Sequence, residues 1–359
     1  MALDRISLSE FRNHAATELA GTRGFNLLVG ENGAGKTNIL EALSLLAPGR
    51  GLRRAALVEM VASGGQAGFR IGADLVQPDE PIRLGTYVET AQPGRRRVRI
   101  AGAESSASAL SEWLAVTWLT PAMDGLFTGA AADRRRFVDR MALALDPQHA
   151  SHASRYEAAL RERNRLLSDL REPESGWMDA IEAQMVEHGA ALMAGRARLV
   201  ETLAVRLAEM PAEPFARPAL TYLPGAPDHA DGLSQALYEG RRRDRAAQRT
   251  LTGPHRDELD VVHAAKRVPA AQSSTGEQKA MLVAITLAHA ALAAQGRSSI
   301  LLLDEVAAHL DPIRRAALFD QLRGGGAQVW MTGTEASAFE TVLGEAAVWK
   351  VREGAAERE

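Results

Sequence analysis

The residues whose spacing carries the most chemistry are Gly30-Glu31-Asn32-Gly33-Ala34-Gly35-Lys36-Thr37. They fit glycine, four free positions, then glycine, lysine and a hydroxyl residue at every fixed point. Glycines let successive backbone N–H groups turn inward around an anion, and a following helix adds its N-terminal dipole. Lys36 then supplies a point charge for the β and γ phosphates, and Thr37 a hydroxyl for Mg2+. The stretch is therefore read as an ATP-binding loop. Its metal partner should be an acid at the end of a buried strand. Ser299-Ile300-Leu301-Leu302-Leu303-Asp304-Glu305 meets that need, because four consecutive apolar residues suit a central parallel strand. Asp304 is the second Mg2+ ligand on this reading. Glu305, with Lys36 the catalytic pair, is placed to accept a proton from the attacking water.

A second candidate lies far along the chain at Ser274-Thr275-Gly276-Glu277-Gln278-Lys279. Ser274 and Glu277 have the spacing of a capping box, in which each side chain bonds the other's backbone amide. An apolar helix follows, with Met281, Leu282, Ile285, Leu287 and Leu292. On capping alone this is simply a well-started helix. A helix N-terminus with a free hydroxyl and a glycine for close approach also suits a phosphate.

The elements that must hold these groups can be read coarsely. Leu3, Ile6, Leu8 and Phe11 alternate with polar residues as a half-buried strand. Phe25–Val29 reads as a buried strand entering Gly30, and 38–47 as a helix leaving the loop. Residues 57–119 look strand-like and irregular, with turn signals at Ser63-Gly64-Gly65 and Gln92-Pro93-Gly94. From about 132 to 210 the period is helical. Met178, Ile181, Met185 and Leu192 share one face, as do Val200, Leu203, Leu207 and Met210. Unbroken from 178 to 210, this helix would be roughly 50 Å long, with Gly189 and Gly195 as points for a kink. The proline-rich block 211–232 reads as loop, and α/β character returns at Leu251. The layout predicts an α/β nucleotide-binding head formed by 1–120 and 250–359, with 121–249 inserted as a mainly helical lobe.

Composition narrows the setting. The chain has 359 residues, 46% hydrophobic and 24% charged, as globular proteins do, with no apolar run of membrane-spanning length. It lacks cysteine, which excludes disulfides, thiolate chemistry and Cys-ligated metals. No signal peptide is evident, and the expected location is cytoplasmic. A net charge of -3 means that DNA binding would need a local patch. Arginine outnumbers lysine 38 to 4. Three runs stand out: Arg95-Arg96-Arg97 with Arg99, Arg134–Arg136, and Arg241–Arg243 with Arg245. Acids lie in or beside the second and third, at Asp133, Asp139 and Asp244. The first has none within it and is the preferred DNA contact. Aromatics are only 5% and do not interleave with the arginines, so duplex backbone is favoured over base stacking.

The order of motifs (phosphate loop, S-T-G-E-Q, L-L-L-D-E strand) resembles the ABC-type ATPases. That resemblance implies an ABC-type ATPase head in which Ser274, Thr275, Gly276, Glu277 and Gln278 act as a signature, in trans, on nucleotide held by another subunit's loop. Ala307-Ala308-His309-Leu310-Asp311 resembles the family's D-loop. Glu277 departs from the Gly or Gln of many members. No switch histidine follows the next strand, where Thr332-Gly333-Thr334 stands, and 118–124 lacks the family's Mg2+-contacting glutamine. Four phrases then resemble the RecF family of DNA replication and repair proteins. They are Leu8–His14 with F-R-N at its centre, Thr37–Ala42, Asp133–Asp139 and Leu251–Asp257. The resemblance implies ATP-dependent homodimerisation, slow DNA-dependent hydrolysis, binding of DNA duplex and gap junctions, help in recombinase loading, a RecR-like mediator as partner, and no membrane. Two other readings compete: the ATPase subunit of a transporter, and an ATP-locked DNA scaffold without turnover. The insertion is too long for the first, and far too short for the coiled-coil chromosome-maintenance proteins.

Overall fold

A computed structural model describes residues 2–62, 68–169, 174–211, 213–307 and 310–359. The turn signal at Ser63-Gly64-Gly65 lies outside them. Along the chain come β1 (Leu3–Phe11), β2 (His14–Ala20), β3 (Phe25–Val29), α1 (Lys36–Ser44), β4 (Phe69–Leu75), β5 (Ile82–Val88), β6 (Arg96–Ile100) and β7 (Ala103–Ser105). Then follow α2 (Leu110–Trp113), β8 (Leu114–Leu119), α3 (Ala131–Leu145), α4 (His149–Ser168), α5 (Ser175–Glu209), β9 (Pro218–Leu223) and α6 (Ala230–Ala246). The last part holds β10 (Glu258–His263), β11 (Val268–Pro269), α7 (Thr275–Ala293), β12 (Ser298–Leu303), α8 (Pro312–Gly324), β13 (Gln328–Gly333), α9 (Glu340–Leu343), β14 (Ala346–Arg352) and β15 (Ala355–Arg358). Two compact units result: Met1–Asp124 with Thr286–Glu359, and Gly125–Ile285.

The first unit carries two six-stranded sheets. One runs β15-β14-β3-β13-β12-β8, with β14, β3, β13, β12 and β8 mutually parallel and β15 antiparallel to β14. The apolar run at 300–303 is buried within it, as continuous hydrophobicity in a parallel strand requires. The other is antiparallel, β2-β1-β4-β5-β6-β7. The alternation of β1 slips because its register against β4 shifts between Leu3 and Arg5, so that Leu3 and Ile6 both face inward. A core of Leu8, Phe11, Leu28, Ile39, Leu43, Phe69, Leu302 and Trp330 fixes β1, β3 and α1 relative to one another.

The second unit packs α3–α6 with a three-stranded sheet, β11-β10-β9. The α5 helix is one continuous element of 35 residues, about 52 Å long. Gly189 and Gly195 do not break it. A Cβ at Gly189 would press within 3.1 Å of Leu233 and Tyr156, and one at Gly195 within 2.9 Å of His149. They are close-packing points rather than hinges. The block read as loop contains β9, whose Pro218 opens the strand, the place where a missing N–H is tolerated. β9 pairs with β10, and this ladder groups 250–285 with the helical part, although the sequence pattern had set those residues with the head.

Candidate nucleotide site

Phosphate-loop chemistry begins where β3 ends. Lys36, 4% exposed at the start of α1, donates its ammonium to the carbonyls of Gly30 (2.6 Å) and Glu31 (2.8 Å). Burial pushes its pKa down, while Glu305 and Asp304 push it back up. The loop's outer residues Glu31, Asn32 and Gly33 are exposed, and Ala34 is half-buried with its N–H on the Glu31 carbonyl at 3.2 Å. Gly35 has φ 116°, the left-handed side, and its missing Cβ would collide with Asn13 and His14 at 2.8 Å. Gly30 is needed for another reason: a Cβ there would sit 2.2 Å from the Val351 carbonyl oxygen.

Strands β12 and β13 bring the acids to this loop. Thr37 donates its hydroxyl to Asp304 Oδ1 at 2.9 Å, and Thr332 donates to the same oxygen at 2.8 Å. The Glu305 N–H in turn donates to the Thr332 hydroxyl at 2.9 Å. Glu305 itself has φ 55°, a left-handed backbone that a non-glycine residue adopts at a cost. Thr37 and Asp304 thus present two hard oxygen donors at one point, a set that fits Mg2+, which keeps waters and takes few protein ligands.

The F-R-N-H phrase turns out to be the buttress of this loop. It forms the β1–β2 turn, with Phe11 opposite His14. Arg12 forks onto buried Glu41 of α1 with two bonds of 2.8 Å, and Arg53 joins the same carboxylate at 3.1 Å. Asn13 donates to the Ala34 carbonyl (3.1 Å) and accepts from Asn38 (2.7 Å). His14, fully buried, sets Nε2 against the Gly35 carbonyl at 3.1 Å and Nδ1 against Thr17 at 2.9 Å. In the sequence this phrase carries a resemblance but no role for its members. A polar run in a tight turn just upstream of a glycine loop is the signal that could have assigned one.

The signature residues form their own arrangement in the second unit. Ser274 and Glu277 make the expected capping box: Ser274 N–H to Glu277 Oε2 at 3.1 Å, and Glu277 N–H to Ser274 Oγ at 3.4 Å. Glu277 is also ion-paired with Lys266, and that bond, followed by the Ser274 amide, holds its carboxyl down at about 2. Gln278 is buried and bonded to the Ser273 carbonyl at 2.9 Å. Ser274, Thr275 and Gly276 are exposed, with open space where a Gly276 Cβ would stand. Of the D-loop resemblance, Ala308 and His309 lie outside the described residues. Asp311 caps α8 through the Arg314 amide at 2.9 Å.

The arginine runs are not the free patches that their spacing suggests. Arg95 is exposed. Arg96 turns inward to the carbonyls of Gly49 (2.7 Å) and Ala47 (3.0 Å). Arg97 pairs with Glu89 at 3.1 Å, and Arg99 with Glu104 at 3.2 Å. The run has no acid within it, but the hairpin register sets Glu104 directly opposite Arg99. In the second unit Arg134 forks onto Glu258, Arg135 donates to the Asp257 carbonyl at 2.8 Å, and Arg136 pairs with Asp133. Arg241 pairs with Asp179 and Glu182.

The phrases at 133–139 and 251–257 meet in this unit's interior. Arg196 bridges Asp139 and Asp257 with bonds of 2.8 and 2.7 Å. Burial alone would raise Asp139, but His149 and Arg196 hold it at about 2. His255 bonds through its two ring nitrogens to the Tyr156 hydroxyl (2.8 Å) and the Thr250 carbonyl (3.0 Å), and burial pushes it down to about 4. A folded-state pKa below the free value of about 6.5 means that the unfolded chain binds the proton first. The stabilising contribution is therefore complete above pH ~6.5 and lost as pH falls toward about 4. Urea midpoints of the second unit's unfolding, followed by circular dichroism, should fall across that window. His255→Gln should flatten the slope there.

At the level of the whole chain, the family model described as RecF/RecN/SMC N terminal domain matches residues 2–357. A DNA replication and repair protein RecF from Mesorhizobium japonicum is 48% identical over 366 residues, covering 98% of this chain and 96% of that protein. A protein of the same name from Brucella suis is 46% identical over 370 residues, covering 99% and 95%. Among solved structures, the recombination mediator protein RecF-ATPrS superposes with a TM-score of 0.87 at 22% identity, over 99% of this chain and 97% of that one. That last likeness speaks to the fold. Among the described residues, no helix is long and apolar enough to cross a membrane.

Proposed function

The chain belongs to the RecF family of DNA replication and repair proteins, within the RecF/RecN/SMC group of ATPase heads, and from that premise we propose that it is an ATP-gated DNA clamp of recombinational repair. ATP is held on Gly30–Thr37, with Lys36 on the phosphates. Thr37 and Asp304 hold Mg2+, which supplies charge neutralisation at the phosphates. Glu305 takes the proton of the attacking water. The ATP of one subunit is covered by Ser274, Thr275 and Gly276 of a second copy, so that nucleotide closes a homodimer and slow hydrolysis reopens it.

The observation that carries this reading is the state of the signature. Its three small residues stand exposed at the start of α7, while Glu277, the one acid among them, is tied back to Lys266. A helix start shaped in this way can receive a phosphate without like-charge repulsion. Duplex and gap-junction DNA are the proposed ligands, and a RecR-like mediator the proposed protein partner, in the cytoplasm. The β6–β7 hairpin is not a strong DNA surface, because Glu89 and Glu104 offset Arg97 and Arg99.

Sedimentation with ATP, ADP or neither, with and without gapped duplex, tests the clamp. ATP should convert monomer to dimer, and ADP should not. Ser274→Arg should leave ATP binding nearly intact and block the dimer, since a bulky side chain fills the covering face. A dimer that forms equally without nucleotide would overturn the reading. Turnover raised by duplex DNA would separate the cycling clamp from an ATP-locked scaffold.

A further inference from the structure

We infer that Thr332 is the positioning residue of the hydrolytic end: its one buried hydroxyl fixes both the Asp304 carboxylate and the backbone that aims Glu305. The inference rests on the assignment of Glu305 as the base. Thr332 is 1% exposed near the end of β13. Its only hydroxyl proton goes to Asp304 Oδ1 at 2.8 Å, and its oxygen receives the Glu305 N–H at 2.9 Å. A hydroxyl is the smallest group that can donate and accept at once, so no aliphatic side chain can replace it.

What it holds is a strained segment. Glu305 leaves β12 with φ 55°, and such a backbone persists only where its surroundings over-determine it. The Thr332 bond is the side-chain contact of that amide. Without it, the N–H is a donor lacking its partner, and the segment is free to relax toward the ordinary right-handed region, which swings the Glu305 side chain. The same oxygen of Asp304 that receives Thr332 also receives Thr37, at 2.9 Å. One hydroxyl therefore joins the metal-side acid to the base. Many ABC-type ATPases place a histidine after this strand; Thr332 lies within it and works through the Glu305 backbone and the Asp304 carboxylate.

Thr332→Val keeps the shape and removes the hydroxyl. It should lower kcat for ATP about 10- to 100-fold, the usual range for losing an orienting partner of a site group. The dissociation constant for a fluorescent ATP analogue, measured without Mg2+ so that the Asp304 metal contact plays no part, should stay essentially unchanged. Thr332→Ser should restore most of the turnover, and Glu305→Gln, run in parallel, should lose it. If Glu305→Gln hydrolyses at the wild-type rate, the base assignment fails and this inference with it. If Glu305→Gln is inactive while Thr332→Val turns over normally, the inference alone is overturned. Equal losses of binding and turnover in Thr332→Val, or no rescue by serine, would also overturn it by assigning Thr332 to packing only.

Discussion

Lys36→Ala should weaken ATP binding on the order of 100-fold or more and abolish measurable hydrolysis. The ammonium is the cation that the loop places among its own carbonyls, bonded at 2.6 and 2.8 Å to Gly30 and Glu31. Charge-assisted bonds contribute about 1.5–3 kcal/mol each. Two of them, or their equivalents on phosphate, give roughly 3–6 kcal/mol, and each 1.4 kcal/mol is about tenfold in affinity. Removal also leaves Asp304 and Glu305 without the nearby charge with which both interact. Repulsion between these acids and a nucleotide would then add to the loss. Titration with a fluorescent ATP analogue measures the binding, and phosphate release measures the turnover. Lys36→Arg is the informative control: it keeps the charge, but a planar fork cannot sit between the two carbonyls as a compact ammonium does. Wild-type affinity in the alanine variant would overturn the assignment of the loop.

Much of the nucleotide end was legible because its motifs are local. A glycine loop between a buried strand and an amphipathic helix has few other uses, and a run of four apolar residues ending in two acids marks a strand end in any parallel sheet. The capping box at Ser274 was legible for the same reason, since both partners lie within one turn. What could not be read was pairing across long separations. Arg96 looks like a cation in a basic run, yet it reaches back to the carbonyls of Ala47 and Gly49. Arg99 looks unopposed until the β6–β7 register sets Glu104 against it. Thr332 looked like a missing histidine, because nothing in its neighbourhood along the chain says that Asp304 and Glu305 lie at its hydroxyl. The loop reading of 211–232 failed for a related reason. Prolines argue against a central strand, but β9 is an edge strand that opens on one.

The same blindness to distant pairing hid a strongly stabilising side chain in the second unit. Arg163→Ala should destabilise that unit by about 3–5 kcal/mol, the usual cost of leaving buried charges without their partner. Arg163 is fully buried. It donates to Glu182 (2.9 Å), Asp244 (2.7 Å), Thr250 (2.8 Å) and the Leu237 carbonyl (3.1 Å). Truncation strands Asp244, 1% exposed, in the interior, where the Leu251 amide at 3.2 Å is a poor substitute for a guanidinium. Glu182 fares better because Arg241 also reaches it. Against a typical total of about 5–15 kcal/mol, the loss should lower the urea midpoint steeply. The cause can be separated from simple loss of volume. If the stranded Asp244 charge dominates, Arg163→Met with Asp244→Leu should be markedly more stable than Arg163→Met alone, since paired apolar replacement of a buried ion pair is often neutral. If the double variant is no better than the single, the arginine acts through packing and its bonds to neutral groups, and the ion pair contributes little.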